Sequence, residues 1–410
     1  MTLAAKGSSS TAPKVAVVAE FYPRSGDPVL GVWAHRQALA AQAAGAEVHV
    51  LVLHRLVPPR AALARGPARA GRALTELLRQ PRDELRDGLP VTYVPYVSPP
   101  RSRAYASWSA WAAPALALAL RKLRHRTSFE LIHAHNAVPA GDAVRRARLD
   151  VPLVVSVHGG DVLYTAPRST AGRDAVARGL GAARLVLANS HGTAGLARRY
   201  GAGETRVVHL GTDLPGPQGT GSRGPREAAP PTLVTVAHLV ARKRHADVLR
   251  ALAVLADRHP TLRYAIVGDG PERVPLEGLA ARLGVAERVE FSGQLPPAEA
   301  IARARRCTLF VMPSTEEAFG VAYVEAMAGG LPAIGCRGEA GPEEIAAAGD
   351  GFMLVPPGDI ERLTQRIDEL LCDPQRLREA GLRARATVAG NFTWERCGEQ
   401  TLAAYEHVLR

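Results

Sequence analysis

Along most of its length the chain alternates short apolar runs with longer stretches of helical periodicity. Val15–Ala19 (VAVVA) is the first such run; a loop over 20–31 follows, then a helical pattern over Val32–Ala44 closed by Gly45, then a second run, Glu47–Leu53. Runs this apolar read as strands buried on both faces, and their alternation with helices predicts parallel sheets built from βαβ units. The pattern continues through Val91–Tyr96, a strand ending in His133-Ala134-His135, the strand in Pro152–Asp161 (PLVVSVHGGD), Arg184–Ser190 and Arg206–Gly211. Pro58–Pro100 resists this reading because Arg, Ala and Pro dominate it; a helix, a loop and the strand Val91–Tyr96 are expected there. Leu214–Pro231 (LPGPQGTGSRGPREAAPP) has almost no apolar residues and reads as an interdomain linker. A second strand series follows: Thr232–Ala237, Tyr264–Val267, Val289–Gly293, Thr308–Met312, Leu331–Cys336 and Phe352–Pro356. The expected division is therefore 1–213, a linker over 214–231, a second domain over 232–387 and a terminal amphipathic helix within 388–410.

Candidate chemistry gathers where these strands end, which is where parallel sheets place ligands. In Ser314–Gly330 (STEEAFGVAYVEAMAGG), Glu317 and Glu325 stand eight positions apart, with Phe319 and Gly320 between them. The strand before this stretch puts Glu317 in a loop and Glu325 inside a helix. The backbone N–H groups of Phe319, Gly320 and Val321 open that helix, whose positive dipole end suits a phosphate, and Gly320 has no Cβ to obstruct approach. Two carboxylates beside an anion site make sense as acceptors for ligand hydroxyls, which a sugar and a ribose both supply. His133 and His135 share a strand face, but zinc needs at least three ligands and no third is apparent. His158 stands at a strand end just before Gly159, Gly160 and Asp161, a position that favours a site role over a structural one. Gly268-Asp269-Gly270-Pro271 superficially suggests a dinucleotide fingerprint, but Arg273 takes the third glycine's place and Pro271 interrupts it, so a nicotinamide cofactor is disfavoured.

Composition narrows the partners. The 410 residues suit two domains, and 47% hydrophobic with 22% charged residues describes a globular chain. Fifty-one Lys and Arg against 39 acids leave +12, which favours an anionic partner: a sugar nucleotide, a phospholipid surface or nucleic acid. The basic residues are scattered Arg without a recognition helix or aromatic platform, which argues against nucleic acid. Cys307, Cys336, Cys372 and Cys397 are widely spaced, so a reduced, cytoplasmic protein without structural zinc is expected. MTLAAKGSSSTAPK is too short in apolar residues for a signal peptide, and no run reaches a membrane span. The segment SRAYASWSAWAAPALALALRKLRHR has two readings. One is a buried helix of the sheet with a solvated basic end; the other is a peripheral membrane segment with Trp108 and Trp111 at the interface and Arg121, Lys122, Arg124 and Arg126 toward anionic lipid.

Glu317, Phe319, Gly320 and Glu325, with the AMAGGLP continuation and Pro-Glu-Glu-Ile soon after, resemble the E-x7-E signature of the retaining, nucleotide-sugar-dependent glycosyltransferases of family 4. That resemblance implies an α/β fold of two facing Rossmann-like, doubly wound parallel-sheet domains of the GT-B type with an interdomain cleft, the C-terminal helix crossing back to the first domain. AHLVARK is similar to the family segment in which an Arg and a Lys grip the donor diphosphate. Lys243 matches the Lys, whereas His238 occupies the Arg position and Arg242 is the candidate replacement. The HAH stretch, with His135, is similar to a family cleft-lining element, and His158 to Asp161 resemble the segment whose histidine lies near the transferred sugar. Gly31 stands either as a turn glycine or where the family brings backbone near donor phosphate or acceptor; Gly268 matches the strand end beside the nucleotide.

The implied reaction moves a sugar from a nucleoside-diphosphate donor to a sugar, lipid-linked or small-molecule acceptor, with retention, as in cell-envelope, glycolipid or secondary-metabolite glycosylation. Lys243, Arg242 and the helix start stabilise the leaving diphosphate, Glu317 holds sugar hydroxyls and Glu325 the ribose. No DxD motif is present, so no metal and no cofactor are expected. The alternatives are a sugar-nucleotide epimerase and a non-catalytic nucleotide-sugar-binding protein; glycan phosphorylases are much longer and carry a pyridoxal lysine.

Overall fold

The computed structural model describes residues 12–100, 105–216 and 230–410. Most of the linker expected over 214–231, and nearly all of the segment weighed as a signal peptide, lie outside the described residues. The chain divides into two compact units. One is Met1–Leu187 with Ala197–Arg206 and Gly398–Arg410; the other is Ala188–Leu196 with Val207–Cys397.

The N-terminal unit is built on an eight-stranded sheet: β1 (Lys14–Ala19), β2 (Glu47–Arg55), β3 (Asp83–Arg86), β4 (Leu89–Tyr96), β5 (Leu131–His135), β6 (Leu153–Val157), β7 (Leu185–Ala188) and β8 (Thr205–Val207), in the order β3-β4-β2-β1-β5-β6-β7-β8. β1 runs parallel to β2 and β5, with Val17 opposite both Val50 and His133. Every residue of β5 and β6 is buried, His133, His135 and Ser156 among them. Each fully buried Val, Leu or Ile in such a core contributes about 1.5–3 kcal/mol. The antiparallel edge strand β3 lay in the unreadable region. Its turn is Asp87-Gly88, with φ of 50° and 85°, the left-handed pair that a two-residue hairpin needs. Helix α1 (Val32–Ala43) follows β1, α2 (Trp108–Thr127) precedes β5, and α3 (Asp142–Ala147) follows it. The membrane-interface reading of Trp108 is corrected here: its ring is buried, and its indole N–H donates to the Tyr96 hydroxyl, whereas Trp111 is half exposed.

The second unit has six strands, all parallel: β9 (Thr232–Val236), β10 (Arg263–Val267), β11 (Val289–Gly293), β12 (Leu309–Val311), β13 (Ala333–Cys336) and β14 (Phe352–Val355), in the order β11-β10-β9-β12-β13-β14. Its helices include α4 (His245–Leu255), α5 (Val321–Ala328), α6 (Ala340–Ala347), α7 (Ile360–Leu371) and α8 (Pro374–Asn391). Leu233, Val248, Leu252, Ile266, Val311, Ile334 and Ile367 form part of its continuous core. The last helix, α9 (Trp394–Leu409), belongs from Gly398 onward to the N-terminal unit, where Gly398 lies so close to Ala40 that a Cβ would stand 2.2 Å from its carbonyl oxygen.

Both sheets are doubly wound, and each has one point where strand order reverses: between β1 and β5 in the first unit and between β9 and β12 in the second. In open α/β sheets the crevice outside the carboxyl ends of those two strands is the place for a ligand.

Candidate active site

In the second unit, the loops leaving β9 and β12 carry the residues singled out from the sequence. A backbone bond from Thr315 N–H to the Arg242 carbonyl, 2.9 Å, ties the two loops together. Across that junction Lys243 Nζ stands 2.5 Å from Glu317 Oε2, and Arg242 Nη1 is 4.0 Å from the same oxygen. Ser314 Oγ also donates to it at 2.8 Å, while the Glu317 N–H donates to Glu339 Oε2 at 2.8 Å. Burial pushes the Lys243 ammonium below the usual lysine range, and the opposing Glu317 charge offsets part of that shift. Two cations and one carboxylate therefore meet at the reversal point, with Lys243 and Glu317 each about one-tenth exposed.

The same loop starts α5. Gly320 has φ 94°, and a Cβ there would lie 2.3 Å from the Tyr323 ring, so the turn that presents the first amides of α5 excludes other residues on two counts. Phe319 is buried; its ring stacks on His209 at 5.4 Å and meets Phe392 edge-on at 5.6 Å. The Phe319 side chain thus anchors the loop and is not itself open to a ligand. Glu344 Oε2 holds the His209 ring at 2.7 Å and its other oxygen accepts the His191 N–H at 2.5 Å, so the acidic helix start is a clamp for this aromatic group. Gly341 in α6 presses on Phe319, where a Cβ would stand 2.2 Å from its Cα. Val321 and Glu325 are half-buried, Glu325 one turn into α5 with Arg305 in its field. His238 is exposed on the loop after β9. Gly268, with φ 136°, leaves room for the Ala237 carbonyl, which a Cβ would meet at 2.0 Å, so its role in this geometry is close packing of the β9 and β10 ends.

The N-terminal unit shows the same construction. Gly31, after β1, has φ 64° and precedes α1; a Cβ would lie 2.0 Å from the Phe21 carbonyl oxygen, so the turn requires glycine. His135 closes β5 and His158 follows β6, and the two rings stack at 5.3 Å with His135 Nδ1 3.0 Å from His158 Nε2. One of these nitrogens donates and the other accepts, so at most one of the two rings can carry a positive charge. Burial drives His158 down to about 3 and His135 well below its ordinary value. His133 is also held near 3 by burial; it bonds the Tyr405 hydroxyl and Ser156 Oγ, each at 2.7 Å, and serves the core. Asp161 is buried and accepts from Asn136 Nδ2 and from the backbone N–H groups of Ala137 and Val138, which hold the loop after β5; burial still raises it to about 6. Its geometry is that of a loop anchor, not of a group presented to a ligand. Among the described residues, His135 Nε2, His158 Nδ1 and Asn136 Oδ1 are enclosed without a hydrogen-bond partner. Buried polar atoms are nearly always paired, so these three, gathered where β5 and β6 end, have hydrogen-bonding capacity that a polar ligand could take up.

Sequence reasoning missed Ser314, Glu339 and the His209–Phe392 pair. Ser314 lay inside the motif, and Glu339 three residues before Pro342 had only the acidic cluster 339–344 as a signal. His209 and Phe392 are 183 positions apart and gave none.

Residues 30–215 match the family described as glycosyltransferase family 4, and residues 223–387 match glycosyl transferases group 1. The chain is 33% identical over 175 residues to a GDP-mannose-dependent alpha-(1-6)-phosphatidylinositol monomannoside mannosyltransferase of Mycolicibacterium smegmatis, a stretch spanning 41% of this chain and less than half, 46%, of that relative. It is 30% identical over 331 residues to a 2-deoxystreptamine glucosyltransferase of Streptomyces kanamyceticus, covering 73% of this chain and 83% of that one. In fold it is similar to Anabaena HepE in complex with UDP and glucose: TM-score 0.70, 21% identity, 96% of this chain and 100% of that one. With both halves matched and the E-x7-E stretch at the reversal point of the second sheet, the chain belongs to glycosyltransferase family 4 and has its two Rossmann-like domains.

Proposed function

We propose that this protein transfers a hexose from a nucleoside-diphosphate donor to an acceptor hydroxyl with retention at the anomeric carbon. The observation that carries the reading is the meeting of Lys243, Arg242 and Glu317 beside the amides that open α5. As the bond from sugar to phosphate breaks, negative charge grows on the departing diphosphate and positive charge on the sugar ring. Lys243 and Arg242 supply cations for the first, and the first amides of α5 add oriented dipoles, an electrostatic role worth about 3–4 kcal/mol for a well-placed donor. Glu317, held by Ser314 and Lys243, accepts sugar hydroxyls, and Glu325 the ribose. Arg242 takes the place that His238 leaves vacant, because it already reaches the Glu317 carboxylate while His238 is exposed. His158 receives the acceptor or sugar hydroxyl at Nδ1, an atom with no protein partner among the described residues. The names of the relatives, one using GDP-mannose and one transferring glucose, and the UDP with glucose held by the structural neighbour support a nucleoside-diphosphate hexose as donor.

No metal enters this reading: the donor charge is met by cationic side chains and amides, so transfer is expected to persist in EDTA, and loss of activity in EDTA with restoration by manganese would contradict it. A peripheral setting at an anionic membrane is part of the proposal, and the exposed face of α2 supports it. Trp111, Pro114 and Leu118 are exposed along the same helix as exposed Arg121, Lys122, Arg124, His125 and Arg126. Arg121, Arg124 and His125 also line, with Arg148, Leu149 and Asp150, a depression of about 330 Å³. No helix among the described residues is long and apolar enough to cross a membrane.

The test is a thermal-shift screen of UDP-, GDP- and ADP-hexoses, followed by NMR of the product formed from the donor that stabilises the protein. Retention predicts the donor's own anomeric configuration in the product. An inverted product refutes the mechanism, and epimerised donor without acceptor refutes the transferase reading.

A further inference from the structure

Outside the glycosyl site, three groups that ligate metals converge on the outer layer of the second unit. His259 lies four residues beyond α4, and Asp368 and Cys372 stand one helical turn apart at the end of α7. Their ligand atoms lie within 4.8 Å of one another: His259 Nε2 is 2.7 Å from Asp368 Oδ1, and Cys372 Sγ is 3.5 Å from that same oxygen. From these atoms we propose that His259, Asp368 and Cys372 form a binding site for a borderline-soft divalent cation, Zn²⁺ by its ligand set.

The geometry suits a tetrahedral ion. Zinc bonds of about 2.0–2.3 Å to N, O and S place neighbouring ligand atoms about 3.4–3.6 Å apart. The Asp368–Cys372 spacing already meets that value, and the His259–Asp368 hydrogen bond needs to open by less than 1 Å. One imidazole, one carboxylate and one thiolate are a donor set that selects zinc or cobalt over calcium or magnesium, which take oxygen ligands. The i, i+4 spacing of Asp368 and Cys372 fixes two ligands on one helix face. Arg258 Nη1 holds the other carboxylate oxygen, Asp368 Oδ2, at 2.6 Å. It orients the carboxylate to bind through Oδ1 alone, the outer-shell role that metal carboxylates usually require. Cys372 is exposed, so the fourth position is open to water. On binding, the thiol proton leaves to solvent as the sulfur–metal bond forms, and the imidazole nitrogen that holds the ion carries no proton in the complex.

The location separates this site from the transfer chemistry. α4 begins beside Lys243 and runs back along the sheet, about 16 Å for its 11 residues, so His259 lies at the edge opposite the β9 and β12 loops. α7 runs the same way after β14. A bridging ion therefore staples the ends of α4 and α7, which pack on each other through Leu252, Leu255, Leu363 and Ile367 in the core.

The experiment uses the full chain, metal-stripped under reducing conditions. Zn²⁺ alone is titrated against a chromogenic competitor, and Co²⁺ absorption is followed in parallel. The proposal predicts one Zn²⁺ per chain, a rise in Tm of several degrees with zinc over EDTA, and a near-ultraviolet thiolate-to-cobalt band. Cys372→Ser abolishes the band and lowers zinc affinity at least tenfold. Because Cys372 is exposed, the variant's Tm in EDTA stays that of the parent. His259→Gln lowers affinity similarly and keeps a weakened band. Binding without a thiolate band, or zinc uptake equal in the parent and Cys372→Ser, overturns the site; neither result bears on sugar transfer, which is measured separately in EDTA.

Discussion

Replacing Lys243 with Met tests both the architecture and the chemistry of the second unit, because one side chain serves both. In the free protein its ammonium sits 2.5 Å from Glu317, with about one-tenth of either side chain exposed. Breaking a fully buried pair by removing one partner costs about 3–5 kcal/mol. Two features lower that here: residual exposure, and Arg242 only 4.0 Å from the same carboxylate oxygen. A cost of about 2 kcal/mol is expected, read as a fall in Tm of roughly 4–8 °C. Glu317→Gln alone, which strands a buried ammonium, costs a similar amount. The double variant is then less destabilised than the sum, with a coupling of about 1–2 kcal/mol in the range seen for groups in direct contact. Turnover behaves differently. On the proposed function, Lys243→Met loses the cation assigned to the leaving diphosphate, which predicts a fall of about 10²–10³ in kcat that the double variant does not recover. The assay pairs thermal or urea unfolding of the four proteins with donor turnover. Additive stabilities, or a Lys243→Met enzyme with undiminished kcat, would refute the argument.

His158→Ala should cut turnover by about 10²-fold and cost about 1–3 kcal/mol of stability, because it leaves His135 Nδ1 buried without its partner; undiminished turnover at that stability cost would make it a structural residue. Stability should fall as the pH drops below about 6.5. Unfolded histidines take up protons near that pH whereas His133 and His158 do so only near 3 when folded, so between those values the unfolded chain binds more protons; His133→Gln should flatten the slope measured by urea titration at pH 4.5 to 7. Flotation with liposomes should retain the protein on anionic but not on neutral vesicles, and Trp111→Ser with Arg121→Gln and Arg124→Gln should release it, an exposed-face change that leaves Tm unaltered; absence of binding to both vesicle types removes the membrane setting.

The strands and the strand-end residues were legible because both faces of these sheets are covered, which forces unbroken apolar runs such as Val15–Ala19 and Leu131–Ile132, and because catalytic loops must leave those runs at their carboxyl ends. What was not legible is which strands neighbour one another. That β9 lies beside β12, and hence that Lys243 meets Glu317, follows from strand order, a property of crossovers rather than of local pattern. The same limit hid the aromatic anchor of Phe319, assembled from His209 and Phe392, and the gathering of His259 with Cys372. Two local details needed the structure. Of the two readings of the helix that holds Trp108, the buried one holds there, with the Tyr96 hydroxyl satisfying its indole N–H. The hairpin of β3 and β4 was lost among Arg and Pro, although Asp87-Gly88 between RDELR and LPVTY was a usable turn signal.

The central claim, that the second unit holds a diphosphate between cations and helix amides, is tested most directly by calorimetric titration of nucleoside diphosphates and the matching monophosphates. The account predicts that for one base the diphosphate binds at least about tenfold more tightly than the monophosphate, as an added charge-assisted contact of 1.5–3 kcal/mol requires, and that Lys243→Met erases the difference. Equal affinities in the parent protein, or a preference for diphosphate that survives the loss of Lys243, would contradict it.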